Sequence, residues 1–188
     1  MRDKIKDIFL ENIHIKEELL RNSIGQIIEI ADIVIGSLRK GGKAILFGNG
    51  GSASDSQHIA AELVGRFKKD RTALAAVALT TNTSILTSLA NDYGFEVVFA
   101  KQVEALGNKN DVAIGISTSG KAKNVIAGIK QAAKMGLKTV ILTGGDGGDL
   151  SKIADVSLIV PSSVTARIQE AHITVGHIIC ELIEEALC

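Results

Sequence analysis

The sequence predicts an α/β fold, a five-stranded parallel sheet covered by helices on both faces. Three observations carry this. Apolar runs of four to six residues recur along the chain, too short for helices and apolar throughout, as strands buried on both faces are. Stretches with helical spacing separate them, the alternation that builds right-handed βαβ crossovers. Turns rich in Gly, Ser and Thr follow the strands, at the ends where open α/β sheets bind ligands.

Residues 2–39 read as two helices. Ile5, Ile8, Phe9, Ile13 and Ile15 form one apolar face, and Ile24, Ile27, Ile28, Ala31, Ile35 and Leu38 form another. Gly41 and Gly42 end the second helix. Residues 44–47 are the first strand, running into Gly48-Asn49-Gly50-Gly51. A helix over 52–67 and a strand over 74–79 follow. Helices over 82–90 and 95–106 flank Asn91 and Asp92. Residues 111–116 form the third strand, Ser117-Thr118-Ser119-Gly120 the turn after it, and a helix reaches Lys134. The fourth strand is 137–142, with a glycine loop at 144–148. The fifth is 156–160, and a nearly continuously apolar helix spans 163–187. One domain over 1–188 accommodates all of this. The leading helices, 1–39, are not needed to close a βαβ unit. They and the last helix are expected to pack against other subunits.

Composition removes several function classes. Lys plus Arg and Asp plus Glu are 21 each, so bulk charge draws in neither nucleic acid nor a membrane surface. Aromatics are 3% with no Trp, which leaves little platform for base stacking. No apolar run reaches the roughly 18 residues of a membrane span. The charged start, from Met1 to Asp7, is unlike a secretory leader. Cys180 and Cys188 are eight residues apart on one helix, a rise of about 12 Å that no disulfide spans. Free thiols and a cytoplasmic location are the expectation.

Two turns have the makings of an anion site. Gly48 to Ala53 joins a strand to a helix, where small residues let backbone N–H groups approach an anion and the helix terminus adds positive potential. It formally fits a dinucleotide pattern, but the second strand ends Leu79-Thr80-Thr81 where that reading wants an acidic residue. The run Gly115 to Ala122 nearly fits a nucleotide-hydrolysing loop, but Ala122 stands where a magnesium-binding hydroxyl is required. What remains is Ser117, Thr118 and Ser119 at a helix N-terminus, three hydroxyls suited to a phosphate monoester. Two such turns in one sheet point to a phosphorylated sugar or similar ligand.

His58 and Glu62 are i and i+4, adjacent on one helix face. On the last helix Gln169 and His177 are eight apart, about 80° around the axis. His172 competes, lying about 60° from Gln169, and periodicity does not choose between the two histidines. Two His, one Glu and an amide oxygen suit Zn²⁺.

Five ordered segments carry a resemblance: Gly48 to Ser52; Gln57-His58-Ile59-Ala60-Ala61-Glu62-Leu63-Val64-Gly65-Arg66-Phe67; Asn91-Asp92; Ile116 to Gly120; and Arg167-Ile168-Gln169-Glu170-Ala171-His172 continuing to His177. Together they resemble the phosphoheptose isomerases, single-domain members of the sugar isomerase (SIS) superfamily. The resemblance covers nearly the whole chain. It implies a flavodoxin-like three-layer α-β-α sandwich and a homotetramer with sites between subunits. It implies conversion of sedoheptulose 7-phosphate to D-glycero-D-manno-heptose 7-phosphate, the first step towards activated heptose for lipopolysaccharide or other surface glycans.

The resemblance also implies Zn²⁺ held by His58, Glu62, Gln169 and His177. The implied substrate contacts are Asn49, Gly50, Gly51, Ser52, Glu62, Asn91, Asp92, Ser117, Thr118, Ser119 and Gln169. Two departures stand out. Ala122 replaces a Ser that often binds phosphate in the family, with Lys121 and Lys123 beside it, and Ala166 replaces an Asp of some relatives. A carboxylate and an imidazole on opposite sides of an enediol suit aldose–ketose isomerisation, giving Glu62 and His177 the catalytic roles. A rival reading is a non-catalytic SIS tetramer that binds a protein partner, as a DnaA-binding initiation factor does. Keeping both Glu62 and His177 favours the isomerase.

Overall fold

The computed structural model describes residues 1–188 and has the expected three-layer architecture. The elements are α1 (Arg2–Asn22), α2 (Ile24–Arg39), β1 (Ala44–Gly48), α3 (Gly51–Val64), β2 (Ala76–Ala78), α4 (Thr83–Tyr93), α5 (Val98–Leu106), β3 (Val112–Ser117), α6 (Lys123–Lys134), β4 (Lys138–Gly144), β5 (Val156–Val160) and α7 (Thr165–Leu187). Single 3₁₀ turns precede α5 and β5. All strand pairs are parallel, in the order β2-β1-β3-β4-β5. The order reverses between β1 and β3. Ligands bind at such switch points, because the crossovers on either side leave opposite faces and open a crevice beyond the strand ends.

Burial explains why the strands read as unbroken apolar runs. β1 and β3 are buried at every position. Ala44 and Leu46 of β1 face the layer of α1, α2, α3 and α7, together with Val112, Ile114 and Ile116 of β3. Ile45 and Phe47 face α5 and α6 on the other side. Phe47 packs against Phe99 with ring centroids 5.3 Å apart. A Cβ on Gly128 would lie 2.7 Å from the Phe47 ring, so that glycine lets α6 lie close on the sheet. Truncating Phe47 to Ala would cost about 3–5 kcal/mol through the cavity left.

Three boundaries depart from the sequence reading. Asn91 and Asp92 lie within α4, not between helices. The helix expected to reach residue 67 ends at Val64, where Arg71 takes the last carbonyls. β2 is three residues long, an edge strand paired only to β1. No helix is long and apolar enough to cross a membrane.

α1 docks across the start of α7. The Arg167 guanidinium donates to the Ile8 carbonyl at 3.1 Å and to Glu170, which also accepts from Asn12. The outer side of α1 leaves Ile5, Ile8, Phe9, Leu10 and Ile13 exposed.

Candidate functional site

The loop after β1 turns sharply because Gly50 adopts φ +55°, a conformation costly for residues with a Cβ. Ser52 is buried in the first turn of α3. Gly51 lies so close to α7 that an added Cβ would collide with the Gln169 amide. The loop after β3 brings Ser117, Thr118 and Ser119 to the same place, and Lys121 N donates to Ser119 Oγ at 3.2 Å. Together they line a cleft of about 360 Å³, formed by Asn49, Gly50, Gly51, Ser52, Ile116, Ser117, Thr118, Ser119, Ala122, Thr165 and Gln169. Its floor is the switch point between β1 and β3. Small polar residues and the N-termini of α3 and α6 make it a site for an anionic, hydroxyl-rich ligand.

Two supports of this cleft were not apparent in the sequence. Asn124, 4% exposed, exchanges two hydrogen bonds with Asn49: each amide nitrogen donates to the other's oxygen at 2.8 Å. Asn124 Oδ1 also accepts from the Val125 amide, so the pair ties the β1 loop to the start of α6. The glycine loop after β4 braces the β3 loop. Leu150 N donates to the Gly120 carbonyl at 3.1 Å, and a Cβ on Gly120 would collide with the Gly147 carbonyl. Ala122 lines the cleft, while Lys121 pairs with Asp146 at 3.7 Å over a neighbouring recess. The Gly148 amide, then Lys121, holds the Asp146 carboxyl below its usual range.

The second part of the site lies along the same two helices. His58 and Glu62 on α3 and His177 on α7 place one ligand atom each within 4.8 Å of one another. His58 Nε2 is 2.9 Å from His177 Nε2 and 3.2 Å from Glu62 Oε1. Phe67 packs against the His177 ring at a centroid distance of 5.7 Å. Two imidazole nitrogens bound tetrahedrally to zinc at about 2.0–2.1 Å lie roughly 3.3 Å apart. The donor set and its spacing therefore fit Zn²⁺. Gln169 is two turns up α7 from His177, where it lines the cleft.

The structure separates the two competing histidines. His172 is fully buried, and its Nε2–H donates to the Thr143 carbonyl at 3.0 Å. Burial pushes its pKa down to about 4, against the opposing pull of that bond, so it packs as a neutral ring. Asn91 and Asp92 hydrogen-bond to each other at 2.8 Å on the exposed surface of α4 and do not line the cleft.

A further acid lies one turn before His58. Asp55 is half-buried, and its Oδ2 is shielded with no partner. Burial raises its pKa to about 6, partly offset by His58. Its position at i−3 from His58 was the one available signal in the sequence.

Comparison with known proteins shows the family and the fold. A family model of the SIS domain matches residues 9–144. The chain is 55% identical over 188 residues to the phosphoheptose isomerase of Aquifex aeolicus, covering all of this chain and 98% of that one. It is similar to the solved phosphoheptose isomerase structure from Neisseria gonorrhoeae, with TM-score 0.93, 44% identity and 98% of each chain covered. A second such structure, from Francisella tularensis, gives TM-score 0.94 at 37% identity over 97% of each chain.

Proposed function

The chain belongs to the phosphoheptose isomerase family of SIS-domain proteins, and on that premise we propose that it interconverts sedoheptulose 7-phosphate and D-glycero-D-manno-heptose 7-phosphate. This reaction opens the route to activated heptose for surface glycans. One observation carries the reading. Two helices, α3 and α7, each contribute to an anion cleft at one end and to a proton-transfer cluster further along. His58 lies six positions beyond Ser52 on α3, a rise of about 9 Å, which suits a substrate with phosphate at one end and carbonyl at the other.

In this reading the hydroxyls of Ser117, Thr118 and Ser119 and the backbone amides of Asn49 to Ser52 bind the phosphate. Gln169, Asn91 and Asp92 contact the sugar. Glu62 takes the proton from the carbon beside the carbonyl, and His177 moves the proton between the two oxygens. His58, Glu62, Gln169 and His177 would hold zinc, a role that competes with proton transfer at Glu62 and His177, so these two would serve as base and acid only when released from the ion. When bound, zinc supplies Lewis acidity toward the carbonyl oxygen.

The assembly is a homotetramer with sites between subunits, in the cytoplasm. Two features support the oligomer. Ile5, Phe9 and Leu10 of α1 are exposed, and an apolar groove of about 480 Å³ runs between α1, α2 and α7. A neighbouring subunit would bring Asn91 and Asp92 to a site their own chain leaves without them. The N-terminal helices over residues 1–39 serve this packing.

The test is an isomerisation assay on sedoheptulose 7-phosphate beside a panel of pentulose and hexulose phosphates. The seven-carbon substrate should give the highest kcat/KM. Preference for a shorter ketose phosphate would move the assignment to another isomerase of this fold.

A further inference from the structure

Two buried ions outside the cleft join the helices of the site. Arg71 and Glu184 lie 113 residues apart, and Arg71 Nε donates to Glu184 Oε2 at 3.0 Å. Their side chains are 4% and 3% exposed. Arg71 belongs to the loop after α3. Its Nη2 donates to the Glu62 carbonyl at 2.9 Å, and its Nη1 to those of Leu63 and Gly65 at 2.8 and 3.0 Å. These close the end of α3, where the helix leaves carbonyls without partners and its dipole favours a cation.

Glu184 lies on α7, seven residues beyond His177, two turns along nearly the same side of the helix. Its carboxylate also accepts from the backbone amides of Phe67, Lys68 and Lys69 at 3.2, 2.8 and 2.7 Å. Phe67 in turn lies against the His177 ring. One carboxylate on α7 thus holds the segment that packs on His177 and the guanidinium that fixes the turn carrying Glu62.

We propose that Arg71 and Glu184 are positioning residues that set α3 against α7, and so fix His58 and Glu62 relative to His177. The proposal rests on the isomerase reading above. Neither residue lines the cleft, so both act through the Glu62 backbone and the Phe67 ring. The bonding pattern favours this role over simple stabilisation. Apart from their mutual ion pair and one Arg71 Nη1 contact to the Thr72 carbonyl at 3.1 Å, the polar groups of the pair are directed to the last turn of α3, which carries Glu62, and to the segment just beyond it, which carries Phe67.

Arg71→Lys and Glu184→Gln test it in the intact protein. Lys keeps a cation beside Glu184 but lacks the fork that reaches the α3 carbonyls. Gln keeps the shape of Glu184 without its charge. Each variant should lower kcat and weaken zinc affinity about 10- to 100-fold, the usual effect of removing a group that orients ligands. Zinc affinity is read by competition with a chromophoric chelator, and KM for sedoheptulose 7-phosphate should stay within about twofold, since the cleft is untouched. Folded variants with wild-type kcat and zinc affinity, and only a lower Tm, would overturn the proposal. Should the single variants not fold, Arg71→Met with Glu184→Leu buries no charge and carries the same two readouts with the same decision. If wild-type protein proves inactive on the sugar, the isomerase reading fails, and zinc affinity across the variants still decides whether the pair positions the cluster.

Discussion

The Nε2 atoms of His58 and His177 stand 2.9 Å apart across 119 residues of sequence. At that distance one ring donates and the other accepts, so both nitrogens are turned inward to one point, with Glu62 closing the third side. Substituting any of the three should abolish the zinc binding proposed for this cluster, measured as metal per subunit after dialysis. Glu62→Gln and His177→Ala should also lower turnover by about 10²–10⁴, the usual contribution of a positioned acid or base. Both should remain folded at wild-type assembly size. Near-normal turnover in either variant would remove that residue from the proton-transfer pair.

Asn124→Ala should act on binding more than on turnover. The substitution removes both hydrogen bonds to the part-buried Asn49 amide, at a cost of about 1 kcal/mol, and unties the β1 loop from α6. KM should rise while kcat changes little, because the cluster of His58, Glu62 and His177 stands on other contacts. Asn124→Asp loses the donor to Asn49 Oδ1 and sets a carboxylate beside the anion cleft, so its KM should rise further. Steady-state kinetics of the two variants checks the order.

The fold and the local half of the site were legible in the sequence because both rest on short-range pattern. β1 and β3 are apolar throughout because both faces are covered, and the turns after them announce themselves through Gly and Ser. His58 and Glu62 share a helix face by spacing alone. What was hidden depends on long-range pairing. His172 and His177 sit on one apolar helix, and only the Thr143 carbonyl, 29 residues from His172, marks which is structural. Arg71 and Glu184, 113 positions apart in sequence, read as ordinary surface charges until the chain between them is folded. The early end of α3 has the same origin, since Arg71 takes the carbonyls a longer helix would have used.

Gly120→Ala should damage phosphate binding although it adds one methyl group. Gly120 has φ +64°, which costs an alanine about 1–2 kcal/mol. The new Cβ also meets the backbone of Gly147 and Gly148, and backbone cannot swing aside as a side chain would. The β3 loop must move, carrying Ser117 to Ser119 with it. A lowered Tm with a raised inhibition constant for inorganic phosphate is expected. An unchanged phosphate affinity would show that the glycine loop after β4 does not shape the cleft.

Asp55 gives the metal-free protein a pH dependence of definite sign. Its folded pKa of about 6 exceeds the ordinary aspartate value of 3.8, so the folded state holds this proton more tightly than the unfolded state. The protonated acid is favoured in the fold, and that stability is present in full below about pH 4 and lost as pH rises through 6. A full shift of that size corresponds to about 3 kcal/mol, and because the group is half in solvent, roughly 1 kcal/mol is the reasonable expectation. Asp55→Asn cannot ionise, so it should be more stable than wild type at pH 7–8 by about that amount. The difference should fall towards zero near pH 4. Denaturant unfolding of chelator-treated protein at several pH values reads this directly. Equal stabilities across that range would show that the shielded Oδ2 finds a partner in solution. A wild type more stable than Asp55→Asn at pH 8 would mean that the carboxylate is held ionised by His58.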